Sequence, residues 1–493
     1  MAQSGALFYG DNLDVMRRHV PDESVDLVYL DPPFNSNANY NVLFAEQDGS
    51  RSAAQVKAFG DTWRWDKAAA VAFEEVVEAG GETSKAMQAF RKLIGPSNML
   101  AYLSMMAPRL VELRRVLKPE GSIYLHCDPT ASHYLKLLMD SVFGGDRFLN
   151  EVIWFYKTGG ASKRYWSRKH DSILFYSKTG KWRFSAQKEK SYLMHKYGFS
   201  NVKIEEDEGG AFTWVNARDV WDIPALRGNQ PETLGYPTQK PVALLKRIIE
   251  GSCPEDGVVL DPFCGCGTTI DAAQRLGRRW IGIDITHLAT NLIKNRLLDK
   301  FGEVDFSVVG EPTTLTDAKQ LAGEDRYQFQ SWALGLVGAR TADQRKGPDE
   351  GVDGRLYFHE KAGGKTREVV ISVKSGTTGV GHVRELRGVV EREEAELGLL
   401  ITLRKPTPKM RAEAATAGYY RSGSEGAGAW GKHPRLQILT VAELLDGRRI
   451  DMPPLMGTLK FPAAPPKRRI HLDKPLFNNL PDVPNLDELL SIS

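Results

Sequence analysis

Two apolar runs that each end at an aspartate constrain this chain more than anything else in it. Val25-Asp26-Leu27-Val28-Tyr29-Leu30 runs into Asp31-Pro32-Pro33-Phe34, and Gly257-Val258-Val259-Leu260 runs into Asp261-Pro262-Phe263-Cys264-Gly265-Cys266-Gly267-Thr268-Thr269. Each reads as a buried strand leaving its sheet through a loop rich in Pro or Gly, with a carboxylate at the strand's carboxyl end. In an open α/β sheet that edge is where ligands bind. The surrounding pattern alternates: strand 6–9, helix 11–19, strand 25–30, helix 99–117, strand 122–127, helix 131–143, helix 241–249, strand 257–260, helix 269–276, strand 280–283, helix 287–301. Such alternation predicts a mainly parallel sheet covered on both faces. Residues 51–95, rich in alanine and charge, predict a helical insertion.

The chain has 493 residues, enough for two or three domains, with 42% hydrophobic and 26% charged residues. A net charge of +3 says little about partners, but residues 151–200 hold 11 Lys or Arg against 3 Asp or Glu, with 12 aromatics among them. Cys127, Cys253, Cys264 and Cys266 form neither a disulfide framework nor a zinc spacing. No apolar run approaches the ~20 residues that span a bilayer, and no signal peptide opens the chain. The expectation is a soluble, cytoplasmic protein with no membrane partner. The sequence predicts a first unit over 1–305, a polar linker over 306–324, a second unit over 325–450 and a proline-rich tail over 451–493.

The two loops resemble those of the amino-methylating DNA methyltransferases, in the order found in the β class: DPPF-type tetrapeptide first, FxGxG-type loop second. The resemblance covers about residues 6–305. It implies a Rossmann-like sheet that binds S-adenosylmethionine and transfers its methyl group to an exocyclic amine of adenine or cytosine. It places Asp261, Phe263, Gly265, Gly267 and Thr268 around the methyl donor, Asp284 on its ribose, the Gly10-Asp11 pair at its adenine, and Lys240 in the Gln239-Lys240-Pro241 turn beside it. The residues support that reading locally. Gly265 and Gly267 permit a tight turn and close backbone approach, and Asp284 stands 17 residues past Gly267, where such topologies keep a ribose acceptor. A nicotinamide loop would need a third glycine where Ile270 stands, and a P-loop would need Gly-Lys-Ser/Thr. Gln239-Lys240-Pro241 also reads as a plain helix start.

The amine's lone pair is delocalised into the base, so two acceptors on its N–H groups would free it. Asp31 and the Pro32 carbonyl supply them, Pro32 and Pro33 stiffen the loop, and Phe34 can stack on the base. Asp-Pro-Pro alone would be an ordinary turn; its place after a buried strand and the second motif change that. The amine lies inside a duplex, so the base must be extruded. No covalent intermediate is needed. By resemblance an aspartate heading the tetrapeptide points to adenine N6, with cytosine N4 the alternative and RNA a further one. Residues 151–235 are the expected target-recognition region, with Lys163, Arg164, Arg168 and Lys169 set among aromatics to meet double-stranded DNA. The strand 170–176 reads as support for the pocket.

Residues 325–447 resemble the Mrr-like branch of the restriction-endonuclease fold, a smaller α/β domain. Asp353 and Lys374 match its Asp and Lys, but Ser372 stands where the family carries Glu or Gln, and Gln330 where related nucleases often have Glu. Mg²⁺-dependent cleavage and a scaffold that binds without cutting both stay open. The resemblance further implies a homodimer or a restriction-system partner subunit.

Overall fold

The computed structural model describes residues 4–33, 65–157, 162–192, 203–227, 230–234, 236, 238–341, 351–359, 366–421 and 431–453. Phe34 of the tetrapeptide, residues 51–64 of the expected insertion and the tail beyond 453 lie outside these.

The first unit is built on strands β1 (Gly5–Tyr9), β2 (Val25–Leu30), β3 (Leu117–Cys127), β4 (Phe148–Phe155) and β5 (His170–Ser177). A small three-stranded sheet follows, from β6 (Lys188–Tyr192), β7 (Glu205–Asp207) and β8 (Gly210–Asn216). The main sheet is completed by β9 (Val220–Asp222), β10 (Val258–Asp261), β11 (Arg279–Asp284) and β12 (Phe306–Val309), in the nine-stranded order β12-β1-β11-β10-β2-β3-β5-β4-β9. From β12 to β3 all neighbours are parallel; β5 turns antiparallel to β3, and β4 antiparallel to β5.

Period-two alternation splits the strands between two cores. Ala6, Phe8, Val28, Leu30, Ile123 and Leu125 pack with helices Asn12–His19, Asn98–Val116 and Ser132–Phe143. Leu7, Leu27, Tyr29 and Tyr124 pack on the other face with helices Val242–Ser252, Thr268–Arg275 and His287–Phe301. Burying apolar side chains on both faces is what a parallel sheet requires. The expected insertion contributes helices Lys67–Ala79 and Gly81–Ile94, whose Phe73, Val76, Met87 and Phe90 join the first core.

The 306–324 segment is not a linker. Phe306–Val309 adds an edge strand to β1, and helix Leu315–Glu324 is opened by a capping box between Thr314 and Asp317. Phe306 and Val308 reach one core and Val309 the other, a pattern four residues long and easily lost among polar neighbours.

In the second unit, β13 (Arg340–Thr341), β14 (Gly354–Phe358), β15 (Arg367–Lys374) and β16 (Leu397–Thr402) precede a small ribbon, β17 (Tyr419–Arg421) with β18 (Lys432–Pro434); β19 (Leu436–Thr440) then returns to the sheet. The order is β13-β14-β15-β16-β19, antiparallel up to β15 and parallel beyond. Helix Arg326–Leu336 covers one face through Phe329 and Trp332, and helices Val380–Arg392 and Pro408–Ala415 cover the other. The chain is thus an α/β protein with a Rossmann-like sheet and a smaller α/β sheet. No helix of the described residues is long and apolar enough to cross a membrane.

The two units share a polar seam. Gln328 Oε1 accepts from the backbone N–H of His287 at 2.8 Å, and Asn291 Nδ2 donates to the Ser331 carbonyl at 2.6 Å. A Cβ on Gly335 would stand 2.2 Å from Asn291 Oδ1, so the helices meet where a side chain is missing.

Behind the 264–267 loop, the fully buried Asp271 receives Arg296 Nε at 2.7 Å, Lys300 Nζ at 2.6 Å and Arg275 Nε at 2.6 Å. Removing one partner of a buried ion pair strands the other charge, which costs about 3–5 kcal/mol. Asp271→Ala should therefore lower unfolding free energy by about that amount in urea titration, whereas exposed Lys85→Ala should leave the urea midpoint essentially unchanged.

Candidate active site

Strand order makes the site. Because β10 and β11 insert between β1 and β2, the carboxyl ends of all four strands share one edge. Val259 pairs with Leu27 and Leu260 with Val28; Gly282 lies beside Asp261, and Asp284 beside Tyr9. Asp31, Asp261, Asp284 and Gly10-Asp11 thereby converge, although residues 31 and 261 are far apart in sequence. From β10 the chain winds on to β11 on one side and from β2 to β3 on the other, so the parallel pair β10–β2 is a topological switch point of the kind that opens a crevice.

Asp261 is 3% exposed and holds its loop: Oδ1 accepts from the Phe263 N–H at 3.0 Å and Oδ2 from Thr269 Oγ1 at 2.5 Å. Burial, with the charges of Asp31 and Asp284 adding to it, raises its pKa to about 7. Asp284 Oδ2 accepts from the Gly265 N–H at 3.0 Å, while Oδ1 takes the Thr286 N–H and hydroxyl, tying the loop to the start of helix His287–Phe301. Burial raises Asp284 to about 6. Gly265 and Gly267 have φ of 48° and 75°, and a Cβ on Gly267 would stand 2.6 Å from Ile293 Cγ1, so both glycines are required.

Asp11 caps helix Asn12–His19 and is held by Arg109, whose Nη2 reaches its two oxygens at 3.1 and 2.8 Å. Arg109 Nε also donates to Asn12 Oδ1, and Asn12 Nδ2 donates to the Pro262 carbonyl at 2.7 Å, which stitches the Asp11 turn to the Asp261 loop. Thr268 turns away from the crevice: its Oγ1 accepts from Arg296 Nη1 at 3.2 Å, within the Asp271 cluster. The Lys240 ammonium donates to Asp31 Oδ2 of the tetrapeptide, and its charge also acts on Cys266 of the glycine loop. Pro32 is buried and Pro33 partly so.

Three further groups escaped the sequence reading. Tyr236 covers Gly265, where an added Cβ would meet its ring at 3.2 Å; burial, then the nearby Asp284 charge, pushes its phenol well up. The signal was its position just before the Gln239-Lys240-Pro241 turn. Arg109 and Asn12 carried no signal beyond a polar residue on an otherwise apolar helix. A buried chain then runs under the edge: Tyr29 Oη to His126 Nδ1 at 2.9 Å, His126 Nε2 to Asp171 Oδ2 at 3.0 Å, and Tyr156 Oη to Asp171 Oδ1 at 3.1 Å. Burial would raise Asp171, but the His126 hydrogen bond holds it below the ordinary carboxylate range. It fastens β5 and the end of β4 to the Asp31 strand.

The basic stretch divides. β5 runs antiparallel, so its start at His170 stands at the Asp31 edge and its end at Ser177 stands at the opposite edge. Lys163, Arg164 and Arg168 are exposed and Lys169 half-buried in the connection that enters at the first edge. Lys178 is spent on the Leu117 carbonyl and Glu23, and Arg183 on Glu120, at the far edge. Trp154 is core, its indole donating to the Ile223 carbonyl.

In the second unit Asp353 Oδ1 accepts from Gln330 Nε2 at 2.9 Å, and Oδ2 accepts from Ser372 Oγ at 3.1 Å and the Val373 N–H at 2.6 Å; Lys374 Nζ stands 3.9 Å away. A divalent ion would need several carboxylate or carbonyl oxygens. Here a single carboxylate is consumed by neutral donors, so these residues do not fit Mg²⁺. Among the described residues no group of acids, His and Cys is arranged to hold a metal.

A family of DNA methylases matches residues 25–295, and a family described as NACHT-associated inactive restriction endonuclease 1 matches residues 326–446. Type II methyltransferase M.HpaI of Haemophilus parainfluenzae is 32% identical over 208 residues, covering 42% of this chain and 63% of that protein. The chain therefore spans just under two thirds of that relative. DNA adenine methyltransferase YhdJ of Escherichia coli (strain K12) is 26% identical over 287 residues, 57% of this chain and 79% of that protein. Among solved structures, PvuII DNA methyltransferase (cytosine-N4-specific) is similar at a TM-score of 0.40 and 17% identity, covering 62% of this chain and 95% of that one.

Asp261 keeps its proton in the fold but loses it in the unfolded chain, so its stabilising contribution is present at acid pH and is lost as pH rises toward about 7. Between pH 5 and 7 this amounts to about 2–3 kcal/mol. Melting temperature without ligand should fall over that interval, and Asp261→Asn should flatten the fall.

Proposed function

Because the chain belongs to the N6/N4 DNA methylase family, we propose that it transfers a methyl group from S-adenosylmethionine to adenine N6 at a specific site in duplex DNA. The observation that carries the reading is the convergence of Asp31 with Asp261 and Asp284 on one sheet edge. Adenine rather than cytosine rests on the aspartate heading the tetrapeptide and on YhdJ's description as an adenine methyltransferase.

The crevice suits the donor. S-adenosylmethionine, when bound, supplies a methyl carbon on a positively charged sulfur. Asp261 and Asp284, held partly protonated by burial, would ionise beside such a cation, and Gly265 leaves room under Tyr236. Asp284 would take the ribose and Asp11, fixed by Arg109, the adenine end. Asp31 and the Pro32 carbonyl would accept the two N–H groups of the extruded base, with Phe34 against its ring. Lys240 orients the Asp31 carboxylate through Oδ2 and leaves Oδ1 for the amine. S-adenosylmethionine would supply the methyl carbon to the amine's freed lone pair and leave with the C–S electron pair on its sulfur, while the Asp31 carboxylate would accept the proton that the amine loses. No enzyme nucleophile takes part; all four cysteines are buried and free.

Lys163, Arg164, Arg168 and Lys169 are placed to meet phosphates on that edge. Residues 326–446 are proposed as a DNA-binding scaffold that does not cleave, since Asp353 is saturated by its own chain. A cytoplasmic site of action follows from the same reading.

Two measurements test this. Labelled S-adenosylmethionine, duplex DNA and nucleoside digestion should yield N6-methyladenine from the wild type, with Asp31→Ala slower by at least about 100-fold. N4-methylcytosine instead would overturn the base. Supercoiled plasmid incubated with the protein and Mg²⁺ should stay intact; nicking that disappears in Asp353→Ala would reverse the second assignment.

A further inference from the structure

Trp166 is 96% exposed, the most exposed large apolar side chain among the described residues. Scattered exposed apolar residues need no explanation, but this one is mounted. Ser162 Oγ accepts from the N–H groups of Arg164 and Tyr165 at 3.2 and 3.3 Å, and the Ser162 N–H donates to Ser167 Oγ at 3.3 Å. These bonds close 162–167 into a turn that carries Trp166 outward. Lys163, Arg164, Tyr165 and Arg168 around it are all exposed, with the Arg168 guanidinium 5.9 Å from the Tyr165 ring centre.

Its base is tied to the reacting edge. β4 ends at Phe155, which pairs with His170, and Ser172 two residues later pairs with Cys127 at the carboxyl end of β3, the neighbour of the Asp31 strand. The Tyr29–His126–Asp171–Tyr156 chain fixes both ends of the turn's supports to that strand. The turn therefore runs into β5 at the edge where the Asp31 strand ends, and the cations beside the indole can hold a phosphate backbone.

We propose that Trp166 is the wedge of base extrusion: it enters the duplex at the target step and stacks in the space the target base leaves. This rests on the DNA methylation reading above. Extrusion costs unstacking and unpairing, and apolar side chains inserted between bases offset that loss. Exposure of the indole in the free protein is then the price of having it ready.

The test uses the full chain and two duplexes built on the site it methylates in plasmid DNA, one with the target base paired normally and one with an abasic position opposite it. Trp166→Ala should lose about 10- to 100-fold in kcat/KM on the paired duplex. On the abasic duplex, where no pair has to be broken, the loss should shrink to below about threefold. Trp166→Phe should recover most of the paired activity. An equal loss on both duplexes, or no loss on the paired one, overturns the wedge. A wild type that methylates neither overturns the DNA reading itself, a result separable from the first two.

Discussion

The parallel pairing of β10 with β2 is the contact on which the rest depends. Two segments that leave the sheet at Asp31 and Asp261 become neighbours only because Leu27 and Val28 lie beside Val259 and Leu260. That pairing is buried on both faces, and its alternating side chains feed separate cores, so a one-residue slip would turn Leu27 and Tyr29 into the space of Val28 and Leu30. The register of the strands therefore sets the spacing between the carboxylate that faces the amine and those that face the donor. Asp26 adds a polar pin, since its Oδ2 accepts from the Val258 N–H at 2.9 Å and from Lys118.

Much of this was legible because apolar runs and Pro/Gly loops are local signals. The strand before Asp31 and the strand before Asp261 lie where the sequence placed them, and Asp284 does stand at the end of the next strand. Long-range side-chain geometry was not legible. Lys240 was placed beside the donor by the resemblance of the Gln239-Lys240-Pro241 turn, and nothing local showed that its ammonium also reaches Asp31, more than two hundred residues away. Thr268 belongs to the Asp271 cluster for a similar reason: a buried carboxylate needs partners, and its neighbours supply them. The basic stretch was read as one surface, but an antiparallel strand carries its two ends to opposite edges, and only pairing could reveal that.

In the second unit the residues that match the expected Asp and Lys sit in a closed polar cluster. Lys374 still stands near Asp353, and the sheet that carries them is intact. Gln330 and Ser372 both donate to Asp353, so the carboxylate finds its partners within its own unit. Such a cluster stabilises the turn before β14 and asks nothing of a metal.

The seam between the units has a geometric consequence. Helix His287–Phe301 follows directly from Asp284, and the N–H at its first turn, which a helix cannot satisfy alone, is taken by Gln328 of the other unit. Asn291 also donates to the Ser331 carbonyl, over the small Gly335 that lets the two helices approach. Under the proposed function, a surface of the second unit that met DNA would do so at an offset from the reacting base set by this join, since the helix that carries the join starts at the donor-side carboxylate.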